Sequence, residues 1–232
     1  IIGHANMMLG SSVKEVLEQH LEKGNGLFRG IRHAGGWDED ERVKNAHSHP
    51  TPHIYLEDKF QEGLQELSSL NMVFDTWHYH NQIQDLTELA KNLPDLVIIH
   101  DHFGGPLGIG PYKGKREEIF EQWKEDIHDL SQCKNVYSKL GGLAMPVNGW
   151  DWHKREKPAT SDEIISEQGS YYLYTLDCFG SERCMFESNF PVDKQSVSYP
   201  VIWNAYKKLV KDFEETDKEN LFYRTAEKVY KL

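Results

Sequence analysis

A short apolar run, Leu96-Val97-Ile98-Ile99, ends in His100-Asp101-His102-Phe103-Gly104-Gly105-Pro106. Imidazole titrates near neutrality and is the commonest metal ligand, so this cluster suits proton transfer or metal ligation. A single such stretch reads equally well as a polar loop after a core strand, but the pattern recurs. Arg32-His33 precede Gly35-Gly36, and Trp77-His78-Tyr79-His80 follow an apolar segment. Lys139 precedes Gly141-Gly142, while Glu187 and Asn189 flank Ser188 near the end of another apolar segment. His47-Ser48-His49 repeats the His-x-His spacing inside a Pro-rich stretch, where a surface loop is the expectation.

Such groups need a scaffold that gathers them. Six segments share one order: short strand, polar or glycine-rich exit, helical pattern. The expected strands are Ile1–Asn6, Phe28–Ile31, Met72–Thr76, Leu96–Ile99, Val136–Leu140 and Cys184–Ser188. Between them, helical spacing appears near 13–23, 56–70, 83–92, 116–130 and 161–180, with Gly169 weakening the last, and two more helices close the chain. Strands alternating with helices, without hairpin signals, imply a parallel sheet.

A (β/α)8 TIM barrel takes about 250 residues, so six units in 232 residues predict an incomplete α/β barrel lacking its first two units. Residues 1–232 then form one domain, and the start within a strand, without Met, predicts a missing N-terminal portion. An open sheet edge is expected to leave the chain poorly soluble, oligomeric or inactive alone.

A formal charge of −11 and a pI near 5.5 argue against nucleic-acid or anionic-membrane partners. Three cysteines without CxxC spacing suggest reduced thiols and a cytoplasmic setting, and no apolar stretch is long enough to span a bilayer. The expected partner is a small-molecule substrate, which leaves homo-oligomerisation open.

Taken together, Phe28-Arg-Gly-Ile-Arg-His33, Phe74-Asp-Thr-Trp-His-Tyr-His80, Asp101-His-Phe-Gly-Gly-Pro106, Tyr137-Ser-Lys-Leu-Gly-Gly-Leu143 and Arg183-Cys-Met-Phe-Glu-Ser-Asn-Phe-Pro191 resemble the amidohydrolase-related TIM-barrel hydrolases, closest to their lactonase-like branch. The resemblance spans nearly the whole chain and maps its first strand onto the family's third. It implies His102 as a site histidine, Lys139 as a basic position on the neighbouring strand, and Arg32 and His33 as substrate contacts, with Tyr79 and His80 beside them. It also implies a His-x-His pair on a first strand, which this chain does not carry. Asn189 stands where the family places an aspartate that serves as general base or metal ligand. An amide neither accepts a proton near neutrality nor replaces a carboxylate on a transition metal. The cofactor expectation is therefore none, or a single divalent metal such as zinc with His102 as ligand.

Strand alternation suggests a replacement for the lost carboxylate. Met185, Glu187 and Asn189 share one face, so Glu187 is expected in the barrel, either paired with Lys139 as a structural ion pair or acting as a base. The same parity places His102 with His100 and Ile98, with Asp101 turned toward the helices or capping the loop. The expected activity is hydrolysis of a lactone or ester bond in a small carboxylate- or sugar-derived molecule, with His102, Asn189 and Glu187 as catalytic residues. The alternatives are a zinc-dependent amidohydrolase or decarboxylase, and a silent ligand-binding member.

Overall fold

The computed structural model describes residues 1–232. Strands β1 (Ile2–Gly3), β2 (Gly30–Ala34), β3 (Val73–Trp77), β4 (Ile98–His100), β5 (Val136–Leu140) and β6 (Cys184–Phe186) lie side by side in chain order, all parallel. Helices α1 (Val13–Lys23), α2 (Asp58–Ser69), α3 (Ile83–Asn92), α4 (Arg116–Ser131), α5 (Ser161–Phe179) and α6 (Tyr199–Leu209) follow the strands in turn. After α7 (Glu215–Glu219), a π-helical turn at Asn220–Arg224 leads into α8 (Thr225–Tyr230). The sheet is an incomplete barrel wall with β1 and β6 as its edges.

Two faces result from the period of two along each strand. Ile31, Phe74, Ile98, Val136, Cys184 and Phe186 face the helices and join the large core with Leu64, Trp123 and Tyr172. Val73, Ile99 and Met185 face the other way, where Val229 of α8 packs on them. This inner face also carries the chemistry, because Arg32, Asp75, Asp101, Lys139 and Glu187 share its parity.

Element boundaries moved where pairing overrode local pattern. The β2 ladder runs from Gly30↔Val73 to Ala34↔Trp77, so Arg32 and His33 lie within the strand rather than at its exit. α5 is continuous through Gly169. Thr160 and Glu163 cap it reciprocally, and its buried face includes Tyr171, Tyr172 and Leu176, which outweighs one weak helix former.

Candidate active site

The inner face brings two cations onto two buried carboxylates. Arg32 Nη2 contacts Asp101 and lies 3.4 Å from Asp75. Lys139 Nζ contacts Asp75 and lies 3.3 Å from Asp101. The Tyr230 hydroxyl, arriving from α8, is 3.1 Å from both Asp75 oxygens. Asp75 and Asp101 are fully buried. Burial disfavours the Lys139 ammonium, but Asp101 and Asp75 outweigh it and hold its pKa well above the ordinary value. Burial likewise pushes the Asp101 carboxyl up, against the pull of Lys139 and Arg32.

Above this layer, His102 Nδ1 and the Glu187 carboxylate are in direct contact. Strand parity alone would send His102 outward with His100. The chain leaves the strand after Asp101, however, and His102 and Phe103 adopt φ of +56° and +58°, which swings the imidazole back over the inner face. Two glycines on β5's exit make room. A Cβ on Gly142, whose φ is +82°, would lie 2.6 Å from His102 Nδ1, and one on Gly141 would lie 2.3 Å from the Glu187 carbonyl oxygen. Trp77 walls the other side, its ring edge-on to His102 at 5.2 Å between centroids.

Burial lowers the imidazole's proton affinity, yet Glu187 and then Asp101 more than reverse this and raise His102 above its ordinary value. Burial raises Glu187 in turn, but His102, Lys139 and Arg32 hold it well below the carboxylate range. Glu187 thus takes the Nδ1 side of the ring and leaves Nε2 to meet a substrate or water.

Asn189 follows on the same loop at φ +51°. Its Nδ2 donates to Asp193 Oδ1 at 2.8 Å, while Asp193 Oδ2 accepts from the Ala144 amide at 3.3 Å. Asp193 is fully buried, and burial pushes its pKa up to about 7 despite these donors.

Of the residues expected in the site, Arg32, Lys139, His102 and Glu187 are brought together, and Asn189 is bonded to Asp193, which faces His102 and Glu187. Glu187 faces inward as parity implies, but its partner is His102. Lys139 has gone to Asp75 and Asp101 instead, because these lie on the two strands paired between β2 and β5. Asp101 is a central member of the network and does not face the helices, since it continues the parity of Ile99. His100 takes the opposite face and is buried beside His78, 5.3 Å between ring centroids, where burial lowers its pKa to about 3.

Three expected substrate contacts are elsewhere. His33 alternates with Arg32 and so points to the helical layer, accepting from the Met7 amide and packing on Phe60. Burial, with His4 and His47 nearby, lowers its pKa to about 4. Tyr79 donates to the Lys44 carbonyl inside a loop cluster with Val43 and Leu107. His80 is buried against Tyr112, with its Nδ1 facing the Leu107 amide. These residues fix the loops at the rim rather than line the site.

Asp75, Trp77, Asp193 and Tyr230 were not foreseen. A lone Asp at alternate spacing to Val73 and Trp77, inside an otherwise apolar strand, was a readable signal for the first two. Nothing local marks Asp193 or Tyr230.

The donor set does not fit a metal. No group of three His, Cys, Asp or Glu side chains converges as ligands. Asp75 and Asp101 are held by Arg32 and Lys139, His102 Nδ1 is held by Glu187, and Asn189 presents an amide. A surface cavity of about 840 Å³ is lined by Tyr112, Lys113, Arg116 and Asp151. It contains none of the converged inner-face groups, so the chemistry is assigned to the inner face.

A model of the family described as Amidohydrolase matches residues 2–232. The uncharacterized protein y4mH of Sinorhizobium fredii is 32% identical over the whole chain, which spans 69% of that protein. The L-fucono-1,5-lactonase of Burkholderia multivorans is 22% identical over 94% of this chain and 68% of its own. An amidohydrolase from Burkholderia multivorans, crystallised with bound HEPES, superimposes with a TM-score of 0.79 at 20% identity, covering 100% of this chain and 73% of that one. A second crystal form of it, with bound zinc, gives a TM-score of 0.78 at 20% identity over 100% and 72%. No helix of the present chain is long and apolar enough to cross a membrane.

Proposed function

The chain belongs to the amidohydrolase family, a family of hydrolases, and on that premise we propose that it cleaves a lactone or related ester bond in a small, oxygen-rich, uncharged molecule of the sugar type. The observation that carries this reading is the His102–Glu187 pair, a base held in one orientation by a carboxylate. Ionised Glu187 accepts a hydrogen bond from Nδ1–H without taking the proton, and Nε2 takes a proton from water as the water oxygen bonds to the carbonyl carbon. The resulting imidazolium then gives that proton to the ring oxygen as the C–O bond breaks. Asn189 cannot act as base, but its carbonyl oxygen can accept a hydrogen bond from the attacking water and orient it.

Arg32 remains 37% exposed at its side chain and offers N–H donors to the carbonyl or hydroxyls of a substrate. Its charge is already matched by Asp101, and that of Lys139 by Asp75. With Glu187 also present, the inner face carries no surplus of positive charge. This favours a neutral sugar lactone over a carboxylate-bearing one, and the likeness to L-fucono-1,5-lactonase supports the same choice. No step is routed through a metal, because the residues present do not compose a ligand set.

The test is hydrolysis of a panel of neutral sugar lactones and of anionic lactones by the complete gene product, followed by acid release. Turnover of the neutral set, lost in Glu187→Gln and insensitive to chelator, is the expected result. Chelator-dependent activity would favour the zinc-dependent alternative. Lactone binding with no turnover would favour a silent binder, a rival suggested by Asn189.

A further inference from the structure

We propose that Asp193 is a positioning residue that decides which end of the Asn189 amide faces the reacting water. The inference rests on the reading that Asn189 lines the hydrolytic site. The side chains of Asn189 and Asp193, four residues apart, share a hydrogen bond. Asn189 Nδ2 donates to Asp193 Oδ1 at 2.8 Å, and the Asp193 amide donates back to the Asn189 carbonyl at 3.1 Å. The loop therefore has little freedom to rotate the amide away from its partner. Asp193 Oδ2 is held at the same time by the Ala144 amide at 3.3 Å, which ties the β6 exit to the β5 exit. Asp193 is fully buried, so no bulk water substitutes for either contact.

An ionised carboxylate only accepts hydrogen bonds. While Asp193 is ionised, Asn189 must turn Nδ2 toward it and present Oδ1 to the cleft. There Oδ1 accepts from water and leaves a water lone pair free for attack. A protonated Asp193 has an O–H to donate, and its best acceptor is Asn189 Oδ1. The amide then turns over, and Nδ2 faces the cleft as a donor. A donor at that place engages the water lone pair that must attack the carbonyl. One proton taken up from solvent thus converts Asn189 from an orienting acceptor into an obstructing donor.

The surroundings make this exchange accessible near neutrality. The ionisable groups facing Asp193 are His102 from the β4 exit, Glu187 from the β6 exit, Tyr172 of α5 and Tyr206 of α6. Tyr206 donates to the Glu187 carbonyl at 2.8 Å, and the two tyrosine hydroxyls lie 3.3 Å apart, so this wall is neutral and fixed. Burial dominates and brings the Asp193 pKa to about 7. The arrangement also gives Asn189 a function that an aspartate at that position does not share: an amide has two chemically different ends, and a neighbour can choose between them.

The experiment follows the Asn189 side-chain amide by nitrogen-15 NMR from about pH 5 to 9, its resonances assigned by their loss in Asn189→Asp. The expected result is a titration with a midpoint near 7 in the wild type, and none in Asp193→Asn. In the rate profile, Asp193→Asn loses the matching inflection and lowers kcat by about tenfold with KM little changed. Asp193→Ser serves in the same way if Asp193→Asn folds poorly. A wild-type amide that does not titrate, or a titration that survives in either variant and so reports His102 instead, overturns the proposal. The NMR arm needs no substrate and decides the point even if the lactone reading fails.

Discussion

His102 and Glu187, carried by the exits of β4 and β6, touch across the inner face although β5 lies between their strands. The contact is made over Gly141 and Gly142, where any side chain would occupy the same space. A base and its orienting carboxylate are thereby assembled from three consecutive strand ends.

Replacing Glu187 by Gln keeps the shape but removes the charge that favours the imidazolium. We expect kcat for lactone hydrolysis to fall by roughly 10²–10⁴-fold with KM little changed. Steady-state kinetics checks this, and full activity in the variant would remove the pair from the mechanism.

The pH dependence has a definite sign. His102 must be neutral to accept a proton, so kcat/KM rises with pH through an ionisation above the ordinary 6.5, and Glu187→Gln moves that limb down. For stability, His102 contributes most below its unfolded value and loses that contribution as pH rises through its folded one. Glu187, held down by His102, contributes above its unfolded value and loses it as pH falls through the folded one. A kinetic pH profile beside a histidine NMR titration separates the two effects. Measured in an Asp193→Asn background, which removes the separate Asp193 inflection, an acid limb in the same place with and without Glu187→Gln would argue against the assignment.

Gly142→Ala places a Cβ 2.6 Å from His102 Nδ1 on a backbone at φ +82°. The expected loss is about 1–3 kcal/mol of stability, together with most of the activity. Denaturant unfolding and turnover are measured together, and a variant with wild-type values for both would show that the loop relaxes freely.

Lys139→Met leaves Asp75 and Asp101 short of one cation in a fully buried setting. Breaking such a network costs about 3–5 kcal/mol, and the double change Lys139→Met with Asp75→Leu is expected to recover part of it. A double-mutant cycle in urea reads the coupling. Additive effects would mean that the two side chains do not share an interaction.

Asp193 makes a prediction of opposite direction. Its pKa rises on folding from 3.8 to about 7, so the folded state holds a proton the unfolded state has released, and stability falls as pH rises between those values. Asp193→Asn is therefore expected to be the more stable protein at pH 8, by roughly 1–4 kcal/mol, with the gain gone at pH 4. Unfolding curves at the two pH values provide the check.

Much of the framework was legible along the chain because strand and helix periods are local. Val136–Leu140 and Ile83–Asn92 were expected at the bounds they have, and the helix from Ser161 ended within a residue. Parity placed Glu187 inward correctly, since β6 stays extended up to that residue. Alternation also held for Asp101, which is extended and continues Ile99 onto the inner face, whereas the expectation that it turns toward the helices takes the face of Ile98 and His100 as the inner one. It failed for His102, whose φ of +56° ends the extended run. His33 failed for a related reason: once β2 runs through it, alternation with Arg32 sends it to the helices.

The sequence by itself determined the α/β order of elements, the family's strand-end motifs and the exchange of a carboxylate for Asn189, all properties of residue identity and local spacing. Only the tertiary structure decided who partners whom: Glu187 with His102, Lys139 with Asp75 and Asp101, Asn189 with Asp193, Tyr230 with Asp75. Charged groups choose partners by distance and burial in three dimensions. Those follow from strand register, from two glycines that let backbones close up, and from a left-handed residue at one strand's end, none of which local spacing encodes.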